Sequence, residues 1–442
     1  MKQLVVVFTL WLAWMPVGVQ KTLTLEECLK LGIENNLSLE GSRNEMRKAK
    51  HLLSENRAKL WPQISAVAGF NDNFNPPVSV TDGSAYGNLY NVTKTLQYNA
   101  SAGLQLQMPL YNQTVYTAVD ISRTLNELNR LSYEKAREDL MMQISKMYYL
   151  GQNTMEQLTL IQENMVRLRE LRDITLAFFD NGMAMEVDVK RVNINLENQQ
   201  VQYDNAKSML VQQLNLLKYV MDYPADEEIT LTPVDTERMQ SASLTGLRGD
   251  LYELQLLQSQ EKLAGQQKDL IRQGYLPSLT LTGSWMYSAY TDKARHWFHF
   301  GPSNHWYPST GLGITLRVPI FDGFDKRARI RKAQIDQENA KLNYENTLKN
   351  MQTQYLNATN ELMNNQRNFK KQKDNYLLAE DVYQVTTDRY REGIASMTEV
   401  LQDEMRMSEA QNNYLSAHYN YQVANLALLK LTGQMDRLLQ GN

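Results

Sequence analysis

Two stretches decide the fold: LTLTGSWMY, residues 279–287, and GLGITLRVPI, residues 311–320. In the first, Leu279, Leu281, Trp285 and Tyr287 alternate with Thr280, Thr282 and Ser284. In the second, Leu312, Ile314, Leu316, Val318 and Ile320 alternate with Gly313, Thr315, Arg317 and Pro319. Successive side chains of a strand point to opposite faces, so this period of two gives each stretch one apolar and one polar face. The stretch LQLQMPL, residues 104–110, repeats the pattern, and Ile64, Ala66, Ala68 and Phe70 make a weaker fourth run. Each run is about 8 to 11 residues, enough to cross a bilayer when tilted. Apolar-out, polar-in alternation is the pattern of an outer-membrane barrel strand. The competing reading is a half-buried sheet in a soluble domain.

Composition narrows the rest. The chain has 442 residues and a net charge of −3, from 46 basic and 49 acidic side chains. That balance argues against nucleic-acid binding by bulk charge. With 43% hydrophobic residues and a mean hydropathy of −0.50, it lacks the repeated apolar runs of a multi-span helical protein. Its one cysteine, Cys28, excludes an intrachain disulfide and a multi-cysteine zinc site, and is expected as a free thiol in a helix. Residues 1–20 hold Lys2, an apolar stretch from Leu4 to Val17 and small residues after it, the pattern of a secretory signal.

Proline marks the boundaries between elements. None stands between Pro109 and Pro224, and none follows Pro319. Both blocks are rich in helix formers. Each carries a glycine well past its middle, Gly182 and Gly393, suited to the left-handed residue that ends a helix. Each block therefore predicts a long helix, a tight turn and a shorter return helix. A helix over residues 112–181 would reach roughly 100 Å, a length that suits a tube better than a globule. Leu348, Tyr355, Leu362, Phe369, Tyr376, Tyr383 and Tyr390 recur every seventh residue, the repeat of a left-handed supercoil. In the first block Leu158, Ile161, Met165, Leu168, Leu171, Ile174 and Phe178 fall at steps of three and four.

The two halves match. Pro62 and Pro277, Pro109 and Pro319, Gly182 and Gly393, and Leu217-Lys218 and Leu429-Lys430 all stand about 210 residues apart, as expected from a duplication. The expected order is a signal at 1–20, helices over 21–61, a transmembrane hairpin over 62–110 with an outer loop at 71–97, and a helical hairpin over 111–222. A linker at 223–245, a helix over 246–275, a second transmembrane hairpin over 276–320 with a loop at 288–309, and a helical hairpin over 321–434 complete it. Four strands cannot close a barrel, and open edges are not tolerated in lipid. Even-numbered barrels begin at eight strands, so two or three copies must share one barrel.

At this point the chain resembles the TolC-like family of outer-membrane efflux proteins. The carriers are Leu60-Trp61-Pro62 and Tyr275-Leu276-Pro277 at the strand entries, and Met108-Pro109-Leu110-Tyr111 and Val318-Pro319-Ile320-Phe321-Asp322-Gly323 at the exits. The turns Phe179-Asp180-Asn181-Gly182 and Arg389-Tyr390-Arg391-Glu392-Gly393, with Thr398-Glu399-Val400-Leu401 after, complete them. The resemblance covers nearly all of the chain beyond the signal. It implies a mixed, mainly α fold: a long α-helical coiled-coil barrel continuous with a trimeric 12-stranded transmembrane β-barrel, four strands per chain. It also implies a homotrimer in outer-membrane lipid, a periplasmic adaptor and an inner-membrane transporter as partners, and no cofactor. The work would be passive efflux or type I secretion.

For such a channel the chemistry is gating. Family members carry constricting acids on the return helix beyond the second turn. Glu399 matches the first such position, Gln402 falls on the second, and Asp403 is adjacent. Glu186, Asp188 and Glu404 are further acids near the two turns. Carboxylates repeated around a threefold axis make a cation-favouring constriction. Tyr390 matches a tyrosine that ties neighbouring hairpins shut, with Asp188 at the position of a possible partner. Ala395 stands where a latch arginine is common. Gly182 and Gly393 match the adaptor-docking tips. Simpler readings run beside these. Ser396-x-x-Glu399 is a capping box, early helical acids complement the helix dipole, and Tyr390 ends its heptad line.

Lys326, Arg327, Arg329, Arg331 and Lys332 follow the last strand and could meet anionic head groups or form the solvated start of a helix. His296, His299 and His305 cluster loosely in the second loop, while His51 and His418 stand alone. No phosphate-binding loop and no G-x-S-x-G occurs, so an enzyme is not expected. The alternatives are a soluble periplasmic coiled-coil scaffold and an adhesin-like surface protein.

Overall fold

A computed structural model describes residues 21–82, 90–233, 246–291 and 306–440. The expected signal, part of the linker, and His296, Trp297, Phe298, His299 and His305 lie outside the described residues. The chain is mainly helical. In order it runs β1 (Lys21–Leu23), α1 (Leu25–Asn35), α2 (Leu37–Ala58), β2 (Gln63–Asp72), β3 (Val78–Asp82), β4 (Tyr90–Lys94) and β5 (Tyr98–Tyr111). Then come α3 (Gln113–Asp180), α4 (Glu186–Met221), β6 (Ile229–Leu231), α5 (Tyr252–Gln273), β7 (Ser278–Thr291) and β8 (Trp306–Arg317). It ends with α6 (Asp325–Arg391), α7 (Met397–Leu431) and a 3-10 turn (Met435–Leu439). No helix among the described residues is long and apolar enough to cross a membrane.

The chain divides into two compact units: Met1–Asn44, Leu131–Gln255 and Glu345–Asn442 form one, and Glu45–Arg130 with Leu256–Tyr344 the other. The second unit holds a four-stranded antiparallel sheet in the order β2-β5-β7-β8. The register slips once, between Pro109 and Tyr111, where proline cannot donate to the ladder. Helices of this unit are tied by polar bonds. Asn56 Nδ2 donates to Ser122 Oγ at 2.7 Å, and Lys268 Nζ to Gln337 Oε1 at 2.8 Å.

In the first unit the main core gathers Leu29, Met141, Ile144, Tyr148, Leu217, Met221 and Leu429 around the parallel pair β1–β6. Tyr148 is buried there and donates through its hydroxyl to the Leu23 carbonyl at 3.1 Å. Cys28 is a buried free thiol in α1, and burial pushes it up to about 12. The heptad line of α6 turns inward: Leu362, Tyr383 and Tyr390 are buried, and Leu348, Tyr355, Phe369 and Tyr376 are half-buried. Phe369 stacks on Tyr414 and Tyr421 of α7 at 5.8 and 5.9 Å. His418 is buried beside Phe369 at 5.2 Å, and burial pushes it down to about 4.

Three features differ from the sequence reading. The stretch 71–97, expected as a loop, contains the hairpin β3–β4. The linker contains β6, which pairs with β1. Tyr290, Trp306 and Tyr307, expected in the second loop, lie in strands β7 and β8, because the alternation runs further than its prolines and glycines suggested.

Candidate functional site

The first element of the site is the sheet. Its register lines up residues across all four strands. Gln63, Gln107, Thr282 and Gly313 form one row, and Ser65, Gln105, Ser284 and Gly311 another. The rows between them hold Ile64, Leu106, Gly283 and Leu312, and Ala66, Leu104, Trp285 and Thr310. One face is therefore amide, hydroxyl and glycine, and the other largely apolar. Ile64, Phe70, Leu104, Trp285, Leu312, Ile314 and Leu316 are exposed on that apolar face. So much uncovered hydrocarbon on one sheet face marks a surface built to be covered. Gly103 is required where it stands, because a Cβ there would lie 2.2 Å from the Trp285 carbonyl oxygen. Among the described residues β2 and β8 each pair on one side alone, leaving two open edges.

The second element is the pair of turns in the helical unit. Gly182 and Gly393 have φ of 71° and 75°, the left-handed region that glycine enters without a Cβ penalty. Both close the same hydrogen-bond pattern. The Gly182 N–H donates to Phe179 O at 2.9 Å and that of Met183 to Phe178 O at 2.7 Å. The Gly393 N–H donates to Tyr390 O at 2.9 Å and that of Ile394 to Arg389 O at 2.8 Å.

The acids near these turns have separate surroundings. Glu399 completes a capping box: it accepts from the Ser396 N–H at 3.1 Å, while its own N–H donates to Ser396 Oγ at 3.3 Å. Asp188 accepts from the Met185 N–H at 3.4 Å and pairs with Arg191 at 3.1 Å. Asp403 accepts from the Thr386 hydroxyl at 2.8 Å and pairs with Arg406 at 3.2 Å. Gln402 is exposed. Glu404, next to Asp403, is 4% exposed and accepts from Gln199 Nε2 at 3.3 Å. Burial pushes its carboxyl up, against the opposing Gln199 bond and the Arg167 charge.

Tyr390 is buried, and its hydroxyl donates to Thr175 Oγ1 at 3.4 Å. Its hydrogen-bond partner within the chain is therefore Thr175 rather than Asp188. Burial pushes its hydroxyl up; the Thr175 bond opposes this and the Asp188 charge adds to it. Ala395 packs with Tyr383, Tyr390, Met397 and Val400. An arginine at 395 would have to bring its charge into that apolar cluster.

Of the basic residues after β8, Lys326 is held by Asp322 at 3.0 Å and lies 5.1 Å from the Tyr275 ring centre. Arg329 pairs with Asp325 at 3.6 Å. Among the described residues no group of three or more His, Cys, Asp or Glu could hold a metal ion.

A second apolar line on α6 escaped the sequence reading. Ile335, Leu342, Leu356, Met363 and Leu377 also fall at multiples of seven, and all are exposed. The signal was in the sequence, yet Lys349 and Lys370 interrupt it.

A family model described as "Outer membrane efflux protein" matches residues 29–221 and 252–434. Solved structures share the fold. VceC from Vibrio cholerae is 15% identical, with a TM-score of 0.75 over 92% of this chain and 96% of that one. The CmeC outer membrane channel of Campylobacter jejuni is 19% identical, with a TM-score of 0.74 over 93% and 85%. The MtrE outer membrane channel of Neisseria gonorrhoeae, solved in its open state, is 18% identical, with a TM-score of 0.74 over 92% and 88%. No curated protein matches by sequence. The chain belongs to the outer membrane efflux protein family, and the outer membrane is its place.

Proposed function

We propose that three copies of this chain form the exit duct of a tripartite efflux or type I secretion machine. Four strands from each copy wall a 12-stranded barrel in the outer membrane, and the helices form a tunnel on the periplasmic side. The observation that carries this reading is the sheet with an apolar face, a polar face and two open edges. Neither an open edge nor its unpaired N–H and C=O groups can stand in hydrocarbon, so β8 must meet β2 of a neighbouring copy. The exposed heptad line of α6 supports the same assembly, since a supercoiled seam needs a second helix to cover it. The number three comes from the family. Duplication of about 210 residues is supported by the two segments that match one family model.

In this duct a periplasmic adaptor docks at the tips around Gly182 and Gly393, and an inner-membrane transporter supplies the energy. The constriction is assigned to Asp188, Glu399, Gln402 and Asp403, with Tyr390 holding the closed packing. Disulfide trapping tests the assembly. Cysteines scanned along β2, each combined with one at Gly311 on β8, should include a pair that oxidises into a covalent ladder ending at three chains, because a closed barrel staggers the register across the seam. Trapping of two chains only, or none, contradicts the closed ring.

A further inference from the structure

The polar face of the sheet is almost free of charge, which alternation alone does not require. Through the register from Gln63 to Asn71, Asn99 to Gln107, Ser278 to Tyr290 and Tyr307 to Arg317, every second residue faces this side. These are amides, hydroxyls, glycines and a few apolar or aromatic groups; among the described residues the one charged side chain is Arg317. Asp72, the acid that ends β2, pairs with Tyr98 in the opposite set and accepts from Gln97 at 3.0 Å. Arg317 is exposed opposite Ser278, and no carboxylate engages it among the described residues. It ends β8 on the side from which α6 departs.

We infer that the barrel wall is a neutral sleeve, and that Arg317, repeated once per chain, forms an anion-attracting ring at its inner mouth, in series with the acidic constriction proposed above and offsetting part of its preference for cations. This rests on the trimeric barrel reading. Charged side chains set ion preference in a pore by their number around its axis. A ring of guanidinium groups with no acid beside it favours anions, and a wall of amides and hydroxyls adds nothing that cancels it. The guanidinium fork also matches carboxylate, phosphate or sulfonate groups geometrically. The ligand class is therefore a solute bearing one such anionic group, held briefly as it enters the barrel. The face itself, with Gln105, Gln107, Thr282 and Ser284, can hydrogen-bond any polar solute without regard to its charge.

The test is the reversal potential of the full-length protein in planar bilayers under a potassium chloride gradient. Arg317→Gln should shift the permeability ratio toward potassium by about twofold, and Arg317→Lys should keep the wild-type value. Ser278→Asp, which places a carboxylate opposite the arginine, should act like Arg317→Gln and carries the test if that variant fails to assemble. Reversal potentials that are the same for wild type, Arg317→Gln and Ser278→Asp overturn the inference while leaving the pore intact. A wild-type protein that makes no pores overturns the barrel reading, and the inference with it.

Discussion

The two glycine turns share a backbone and differ in how they are held. Gly182 and Gly393 have nearly the same φ and close the same hydrogen bonds. Beyond the second turn, Ala395, Met397 and Val400 are buried against Tyr383 and Tyr390, and Ser396 with Glu399 caps α7. Beyond the first, Met185 is 67% exposed, Val187 is exposed, and Met185 brings no oxygen to the start of α4, whereas Met183 and its counterpart Ile394 are exposed alike. Glu186 stands where the second turn has the buried Met397, and Phe179 where it has Tyr390. Equal backbones with unequal packing mean that the glycine fixes the reversal of the chain, while the side chains decide how firmly it stays closed. The first turn is the looser and the more apolar of the two. An adaptor would gain more by covering it.

The largest expected contrast is between Tyr390→Ala and Phe179→Ala. Tyr390 is 6% exposed and Phe179 is 40% exposed. Truncating a buried aromatic costs about 3 kcal/mol, and truncating the exposed one should cost under about 1 kcal/mol. Thermal midpoints of the detergent-solubilised protein report both; equal losses would dissolve the distinction between the turns. Next come Gly182→Ala and Gly393→Ala. At neither glycine would a Cβ meet any atom within 4 Å, so the cost is the left-handed backbone alone, about 1–2 kcal/mol, and equal at both. A much larger loss at Gly393 would show that packing reaches the turn residue itself.

Capping gives a smaller effect of opposite sign at the two turns. Ser396→Ala should cost about 1 kcal/mol, and Met185→Ser should return somewhat less by supplying the missing cap. Helical circular dichroism against temperature checks both. The smallest effect depends on pH. Glu404 has a raised pKa in the folded state through burial, and its counterpart in the first half, Asn193, is exposed and cannot titrate. A carboxyl with a raised folded pKa contributes its stability below the ordinary carboxylate range and loses it as pH rises through the raised value. Glu404→Gln should therefore flatten the fall in melting temperature from pH 5 to pH 8. A slope unchanged by the substitution would mean that Glu404 titrates as an exposed acid.

The contrast between the turns also shows what the sequence could convey. The line from Leu348 to Tyr390 was legible because one helix face is turned inward along its length, and that face recurs every seventh residue. The glycines were legible because left-handed backbone selects them. The sheet was legible because its two faces carry unlike side chains in alternation. The pairing β1–β6 was not, since three residues carry no period and the partners lie some two hundred positions apart. Nor could the chain announce that Glu404 is buried while Glu399, five residues earlier, is a cap. That difference depends on Gln199 and Arg167, which arrive from α4 and α3. The exposed line from Ile335 to Leu377 has the same spacing as the buried one, and periodicity does not say which of two stripes is covered within the chain.

The central claim is that one chain supplies a third of a membrane-embedded wall. The mass of the protein in the detergent-solubilised particle, measured by light scattering with the detergent contribution subtracted, tests it most directly. Three chains per particle are expected, with precipitation when detergent is withdrawn. A single chain that remains dissolved in plain buffer would contradict it.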